Sequence, residues 1–129
     1  KYFTMIGRLA DTGLFDAVGH LDLPKKFGFR PPVDSMPEIV GPALDRIAAA
    51  DMAIELNTSG LRRPCREIYP SPAILQMARK RNIPIIFGSD SHTPADVGSG
   101  FEEALRLARL SGYTSRVEFR KRRASSVPL

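Results

Sequence analysis

With 129 residues, 43% of them apolar and 26% charged, the sequence suffices for one globular domain with a modest core and is too short for two large ones. A single cysteine, Cys65, excludes an internal disulfide framework and a cysteine-based zinc knuckle, and fits a reducing cytoplasm as the expected compartment. The net charge of +5 is concentrated in two clusters, Arg62, Arg63 and Arg66 and then Arg120, Lys121, Arg122 and Arg123. It therefore suits an anionic substrate or a solvated surface as well as it suits nucleic acid.

No run approaches the length of a membrane span, no signal-peptide pattern opens the chain, and the first residue is Lys1 rather than Met. The first apolar run, Phe15-Asp16-Ala17-Val18-Gly19, predicts a strand ending at His20. A long loop follows, rich in Pro and Gly (Pro24, Gly28, Pro31, Pro32). Ser35 and Glu38 have the spacing of a capping box. The helix behind them carries Val40, Leu44 and Ile47 on one face, with Pro42 in its first turns.

The second run, Met52-Ala53-Ile54-Glu55-Leu56, ends at Asn57 and opens into a loop from Thr58 to Pro70. Ser71-Pro72 predicts an N-cap and first helical position. Ile74, Leu75 and Ala78 make the buried stripe, and Arg79, Lys80 and Arg81 fall where the helix dipole favours cations. The third run, Ile83-Pro84-Ile85-Ile86-Phe87, ends at Gly88-Ser89-Asp90. Its uniform apolarity predicts a parallel strand covered on both faces, with Pro84 at its start. Ser99 and Glu102 form a second capping-box pattern, before a helix expected to bury Phe101, Leu105 and Ala108 and to stop near Gly112. A final strand is expected over Arg116 to Phe119.

Strands alternating with helices predict an α/β fold built of βα units, with about three to four parallel strands and flanking helices. A closed (β/α) barrel needs about 250 residues, so the chain is either about half of one or a small open sheet. Periodicity does not separate the two.

In parallel α/β folds the chemistry sits at the C-terminal ends of strands. Each run here ends in groups able to bind metal or substrate: His20 and Asp22, then Glu55 and Asn57, then Asp90 and His92. Asp90 and His92 are two residues apart, which in an extended segment points both to one side, about 7 Å apart at Cα. Such mixed oxygen and nitrogen ligation suits Zn, Mn or Fe better than Mg or Ca. The competing reading makes Asp90 a loop cap and His92 a surface group. His20 is a ligand or a hydrogen-bonded core histidine, and Asp22 orients it from behind or caps the loop. Glu55 and Asn57 alternate to one strand face and so line a pocket together. Arg62 and Arg63 carry forked donors matched to phosphate oxygens; Arg66 is better read as solvated, and Glu67 and Tyr69 as closing the loop. Cys65 has no neighbouring histidine to activate it as a nucleophile. The basic run near the C-terminus lacks the interleaved aromatic residues that single-strand nucleic-acid binders use.

The order of these motifs resembles the C-terminal half of PHP-family histidinol phosphatases. The resemblance rests on Gly19-His20-Leu21-Asp22-Leu23, on Glu55 through Pro64, on Glu67-Ile68-Tyr69-Pro70-Ser71 and on Gly88-Ser89-Asp90-Ser91-His92. It continues through Phe101-Glu102-Glu103-Ala104, Gly112-Tyr113-Thr114 and Phe119-Arg120-Lys121-Arg122, so it covers nearly the whole chain. It implies that residues 1–129 are the C-terminal portion of a single, distorted (β/α) PHP barrel with up to three divalent transition metals at its mouth. His20, Asp90 and His92 would then be metal ligands, with Asp90 and His92 catalytic. Arg62 or Arg63 would bind phosphate; strand direction, rather than the resemblance, would turn Glu55 or Asn57 toward the substrate's amino or imidazole end. The implied reaction is hydrolysis of the small phosphate ester L-histidinol phosphate to L-histidinol and phosphate, in histidine biosynthesis. The family's early His-x-His motif and the ligands after it lie outside this sequence. The site would need an N-terminal half, or a second copy pairing through open sheet edges, to complete it. Two other readings stand beside this one: a PHP phosphoesterase with another substrate, and a non-catalytic, self-associating module.

Overall fold

The three apolar runs pair in parallel. In the computed structural model, which describes residues 1–129, β1 (Ala17–Val18), β2 (Ala53–Asn57) and β3 (Ile85–Gly88) lie in that spatial order. Val18 stands opposite Ile54, and Ile54 opposite Ile85. The crossovers are helical, α2 (Met36–Ala49) between β1 and β2 and α3 (Pro72–Lys80) between β2 and β3. Side chains alternate across a strand, so Val18, Ile54, Leu56 and Ile85 share one face. That face packs against Val40, Leu44 and Ile47 of α2 and Ile74, Leu75 and Ala78 of α3, all in one buried core. Glu55 and Asn57 alternate to the opposite face. Each of β1 and β3 is paired on one side only.

An additional helix, α1 (Tyr2–Asp11), precedes the sheet and packs along α2. It was not predicted, because its start has no capping side chain. The cue was present in Phe3, Gly7 and Ala10, buried at helical spacing. Gly7 matters there, since a Cβ would lie 2.9 Å from the Arg46 side chain.

Neither predicted capping box forms. Ser35 does occupy the N-cap of α2, but its side chain makes no capping bond, and a 3-10 turn at Val33–Ser35 leads into the helix instead. Pro42 lies inside α2, as expected. The helix α4 (Phe101–Leu110) starts from Gly100, not from Ser99. Gly100 has φ 78, and a Cβ there would come within 2.9 Å of Thr58 and Leu61, so glycine answers both the backbone and the space. The Ser99 carbonyl accepts the Thr58 hydroxyl. Phe101 is exposed rather than buried and leans on Phe87 at 5.9 Å between ring centroids, while Ala104 and Ala108 fill the core and Leu105 is half-buried.

β3 is not covered on both faces: Ile85 is buried, but Ile86 and Phe87 are half-exposed. The last predicted strand exists as β4 (Ser115–Arg120), but it does not extend the parallel sheet. It forms an antiparallel hairpin with an unpredicted β5 (Arg123–Pro128). The turn is Lys121-Arg122, both at positive φ (49 and 63), as a two-residue hairpin whose twist matches its strands requires. The basic run is thus a hairpin turn, and Arg122 is tied to Asp16 at 3.1 Å. No helix is long and apolar enough to cross a membrane.

Candidate functional site

The polar residues that end the three parallel strands meet at one edge of the sheet, around Glu55 of the central strand. Glu55 Oε2 accepts the His20 backbone N–H at 3.1 Å and the Asn57 Nδ2 at 2.9 Å. The same Asn57 nitrogen lies 3.3 Å from Asp90 Oδ2. Ser59 Oγ lies 3.2 Å from that carboxylate oxygen and 2.7 Å from Asn57 Oδ1, which also accepts the Ser59 backbone N–H at 3.0 Å. Ser59 has one hydroxyl proton, so it donates to Asn57 or to Asp90 but not to both.

Glycine makes room for this arrangement. A Cβ at Gly88 would fall 1.8 Å from Glu55 Oε1, and one at Gly19 would fall 3.2 Å from Oε2. The backbone is unusual at His20, directly after Gly19, with φ 29, and at Asp90, two residues after Gly88, with φ 46. Left-handed non-glycine residues are uncommon and concentrate where a structure holds functional groups in place.

His20 Nδ1 is buried and has no hydrogen-bond partner. Burial alone would raise the Asp90 carboxyl, but hydrogen bonds from Asn57 and Ser59 and the nearby His20 and His92 outweigh it and hold Asp90 below the usual carboxylate range. His92 stays outside the cluster, with a side chain 75% exposed. Its Nδ1 lies 3.1 Å from the Asp90 carbonyl oxygen. That oxygen can only accept, so Nδ1 is the donor in this contact and Nε2 makes no hydrogen bond within the chain. No three His, Cys, Asp or Glu side chains converge anywhere in the chain. His20, Asp90 and His92 are brought to one edge without closing into a three-ligand cage.

Arg62 lies against the same turn. Its Nη2 donates to the Ser89 carbonyl at 2.7 Å, and Nε lies 3.6 Å from Asp96 Oδ2. Arg63 is exposed and forms no salt bridge or hydrogen bond through its guanidinium, and Arg66 is exposed in a turn at φ 49. Asp22 does not orient His20. Its Oδ2 meets the Ser71 backbone N–H at 2.9 Å and Lys25 Nζ at 3.0 Å, so of its two readings the cap is the one observed. Glu67 and Tyr69 close the loop as expected: Glu67 takes Lys25 and Arg30, and Tyr69 exchanges both backbone hydrogen bonds with Asn57. Cys65 Sγ faces the Gly60 carbonyl and the Tyr69 hydroxyl.

Two polar residues escape the sequence reading, Lys25 beside the site and Ser59 within it. Lys25 is buried, with Nζ donating to the Ile68 carbonyl and paired with Asp22 and Glu67. The only cue was the three-residue spacing from Asp22, which in a Pro-rich loop carries little weight. Ser59 was passed over because a serine after Asn57 and Thr58 looks like ordinary turn chemistry.

A family model described as PHP-associated matches residues 73–109. A Deinococcus radiodurans protein named probable histidinol-phosphatase is 43% identical over 122 residues, which is 95% of this chain and 45% of that protein. The histidinol-phosphatase of Bacillus subtilis (strain 168) is 39% identical over 93 residues, covering 68% of this chain and 34% of that one. A crystal structure from Listeria monocytogenes, assigned as a histidinol phosphatase, superposes with a TM-score of 0.64 at 32% identity, over 79% of this chain and 42% of that chain. The chain spans less than half the length of each of these relatives.

Proposed function

Because this chain is related in sequence and in fold to histidinol-phosphatases of the PHP type, we propose that residues 1–129 are the C-terminal portion of a single PHP barrel domain that hydrolyses L-histidinol phosphate to L-histidinol and phosphate. The observation that carries the reading is the buried, unpartnered His20 Nδ1 at the strand ends that Glu55 and Asn57 link to the Asp90 carboxylate. A buried imidazole nitrogen without a partner is costly unless something outside the chain fills it. With His92 Nε2 also open, the donor set fits a divalent transition metal, Zn, Mn or Fe, better than Mg or Ca.

His20, Asp90 and His92 hold the metals in this proposal. Bound there, such ions neutralise phosphate charge and lower the pKa of water. Asn57 donates to one oxygen of Asp90, with Ser59 Oγ close to that same oxygen, which leaves the other for the ion. Arg62 lies nearest the turn and presents its remaining guanidinium donors to the substrate phosphate, while Arg63 stands further out as the alternative. The remaining ligands come from the part of the barrel beyond this chain, and the compartment is the cytoplasm. A second reading, a self-associating module without activity, is favoured by one observation, the unpaired outer edges of β1 and β3.

The test is phosphate release from L-histidinol phosphate and from a panel of nucleotides, using the longer polypeptide that carries this segment. Asp90→Ala and His92→Ala should each abolish most of the turnover of histidinol phosphate. Unchanged rates in both variants would defeat the proposal. Preference for a nucleotide would move it to another substrate. A compact, metal-free dimer of the 129-residue chain in sedimentation would favour the module.

A further inference from the structure

We propose that Glu55 is the positioning residue of this site: its one carboxylate sets the separation between the strand ends that carry His20 and Asp90. The proposal rests on the reading of those two residues as ligands, but its geometry stands apart from any metal.

Glu55 sits on the central strand, with β1 on one side and β3 on the other. Toward β1, Oε2 accepts the backbone N–H of His20, the residue that leaves the strand at φ 29. Toward β3, the carboxylate lies over the Gly88 backbone, where even a methyl group would stand 1.8 Å from Oε1. Gly19 borders the other oxygen at 3.2 Å. A glycine on each neighbouring strand therefore opens a slot that this carboxylate fills. The third tie is indirect. Oε2 takes one proton of Asn57 Nδ2, and the same nitrogen reaches Asp90 Oδ2. Asn57 is buried and fixed at its other end by Ser59, so its orientation transmits the position of Glu55 to Asp90.

The chemistry of the residue supports positioning over packing. Glu55 is half-buried and forms no salt bridge, although the chain has five more cations than anions. An apolar side chain would fill the slot without leaving a carboxylate unneutralised. What an apolar residue lacks is an oxygen that accepts at once from His20, beyond β1, and from Asn57 of its own strand, whose amide carries the tie on to Asp90. Glutamine keeps one such oxygen, because an amide carbonyl has two lone pairs.

The experiment compares wild type, Glu55→Gln, Glu55→Ala, Gly88→Ala and the Glu55→Ala/Gly88→Ala double variant of the full chain. Two readouts are needed: hydrogen exchange of the His20 backbone amide by NMR without metal, and Co2+ affinity by calorimetry. Glu55→Ala should speed exchange at His20 by at least about tenfold relative to unaffected core amides. It should weaken Co2+ binding by about tenfold or more, as loss of a residue supporting a ligand does. Glu55→Gln should recover part of both. Gly88→Ala should mimic Glu55→Ala by displacing the carboxylate, and the double variant should be no worse than Glu55→Ala alone. His20 exchange and Co2+ affinity both unchanged in Glu55→Ala would overturn the proposal, as would full additivity in the double variant. If the wild type binds no Co2+, the ligand reading falls. His20 exchange then decides for Glu55 alone, faster exchange sustaining its role and unchanged exchange overturning it.

Discussion

Asp22 accepts the backbone N–H of Ser71 at 2.9 Å, so a carboxylate from the loop after β1 caps the first turn of α3. The hydroxyl of Ser71 makes no capping bond itself. The same Asp22 oxygen is paired with Lys25, whose ammonium also reaches Glu67 and the Ile68 carbonyl. The loops that follow β1 and β2 are therefore fastened to each other through one buried cation.

Lys25 should accordingly be the most sensitive polar residue outside the candidate site. Its side chain is 2% exposed, and Lys25→Met removes the charge while leaving two carboxylates and a carbonyl behind. Removing one partner of a buried ion pair costs about 3–5 kcal/mol. Urea denaturation should show a loss in that range. A loss under about 1 kcal/mol, the level of a surface pair, would mean that water or Arg30 compensates.

Glu67 should shape the acid limb of the stability curve. Burial alone would raise its carboxyl, but the hydrogen bonds from Lys25 and Arg30 outweigh burial and lower it. A carboxyl lowered on folding stabilises the native state above its unfolded value, which is about 4.3, and that stability disappears as pH falls through the folded value. Asp22 acts in the opposite sense, because desolvation raises its carboxyl despite Lys25. Glu67→Gln should therefore flatten the fall in urea midpoint between pH about 5 and 2. An acid limb as steep as that of the wild type would show that Glu67 is not its source.

Much of this was legible beforehand for a physical reason. Apolar runs such as Met52 to Leu56 announce a strand because a parallel sheet buries them, and Val40, Leu44 and Ile47 announce a helix by spacing alone. The ends of the three strands were legible too, since His20, Asn57 and Asp90 are polar where the apolar runs end. What escaped depends on contacts far apart in sequence. Lys25 and Ile68 are 43 residues apart, and Asp22 and Ser71 are 49 apart. Local patterns also mislead where a tertiary contact competes: Ser99 has a capping-box neighbour, yet its carbonyl is held by Thr58 and the cap passes to Gly100. The hairpin turn at Lys121-Arg122 was hidden because neither residue favours positive φ.

Gly60 should tolerate no side chain. A Cβ there would lie 1.9 Å from the Glu67 carbonyl oxygen and 3.0 Å from the Tyr69 ring. The obstacle is backbone, so no rotamer relieves it, and Tyr69 is paired with Asn57 on its other side. Overpacking of this kind typically costs about 1–3 kcal/mol, and Gly60→Ala should fall at or above the top of that range in thermal or urea unfolding. Gly41→Ala serves as a comparison inside α2, where the nearest atom is the tip of the Arg81 side chain at 3.3 Å. Equal losses at the two positions would refute the assignment.

Arg62 is the place where structural support and phosphate binding can be told apart. Its guanidinium already holds the Ser89 carbonyl at 2.7 Å and lies 3.6 Å from Asp96, so replacement affects the turn carrying Asp90 whatever else it does. Lysine can replace one of these donors but not the planar fork. If Arg62 only braces the turn, Arg62→Lys should keep most of the proposed phosphatase activity and Arg62→Ala should lose stability and activity together. If it also binds the substrate phosphate, both variants should lower kcat/KM for histidinol phosphate by about 10- to 100-fold, the loss of one charge-assisted contact of about 1.5–3 kcal/mol. The affinity for inorganic phosphate as a competing product should fall in parallel. We expect the second pattern, and Arg62→Lys within about threefold of wild type in both measurements would assign the phosphate to Arg63 or to a residue beyond this chain.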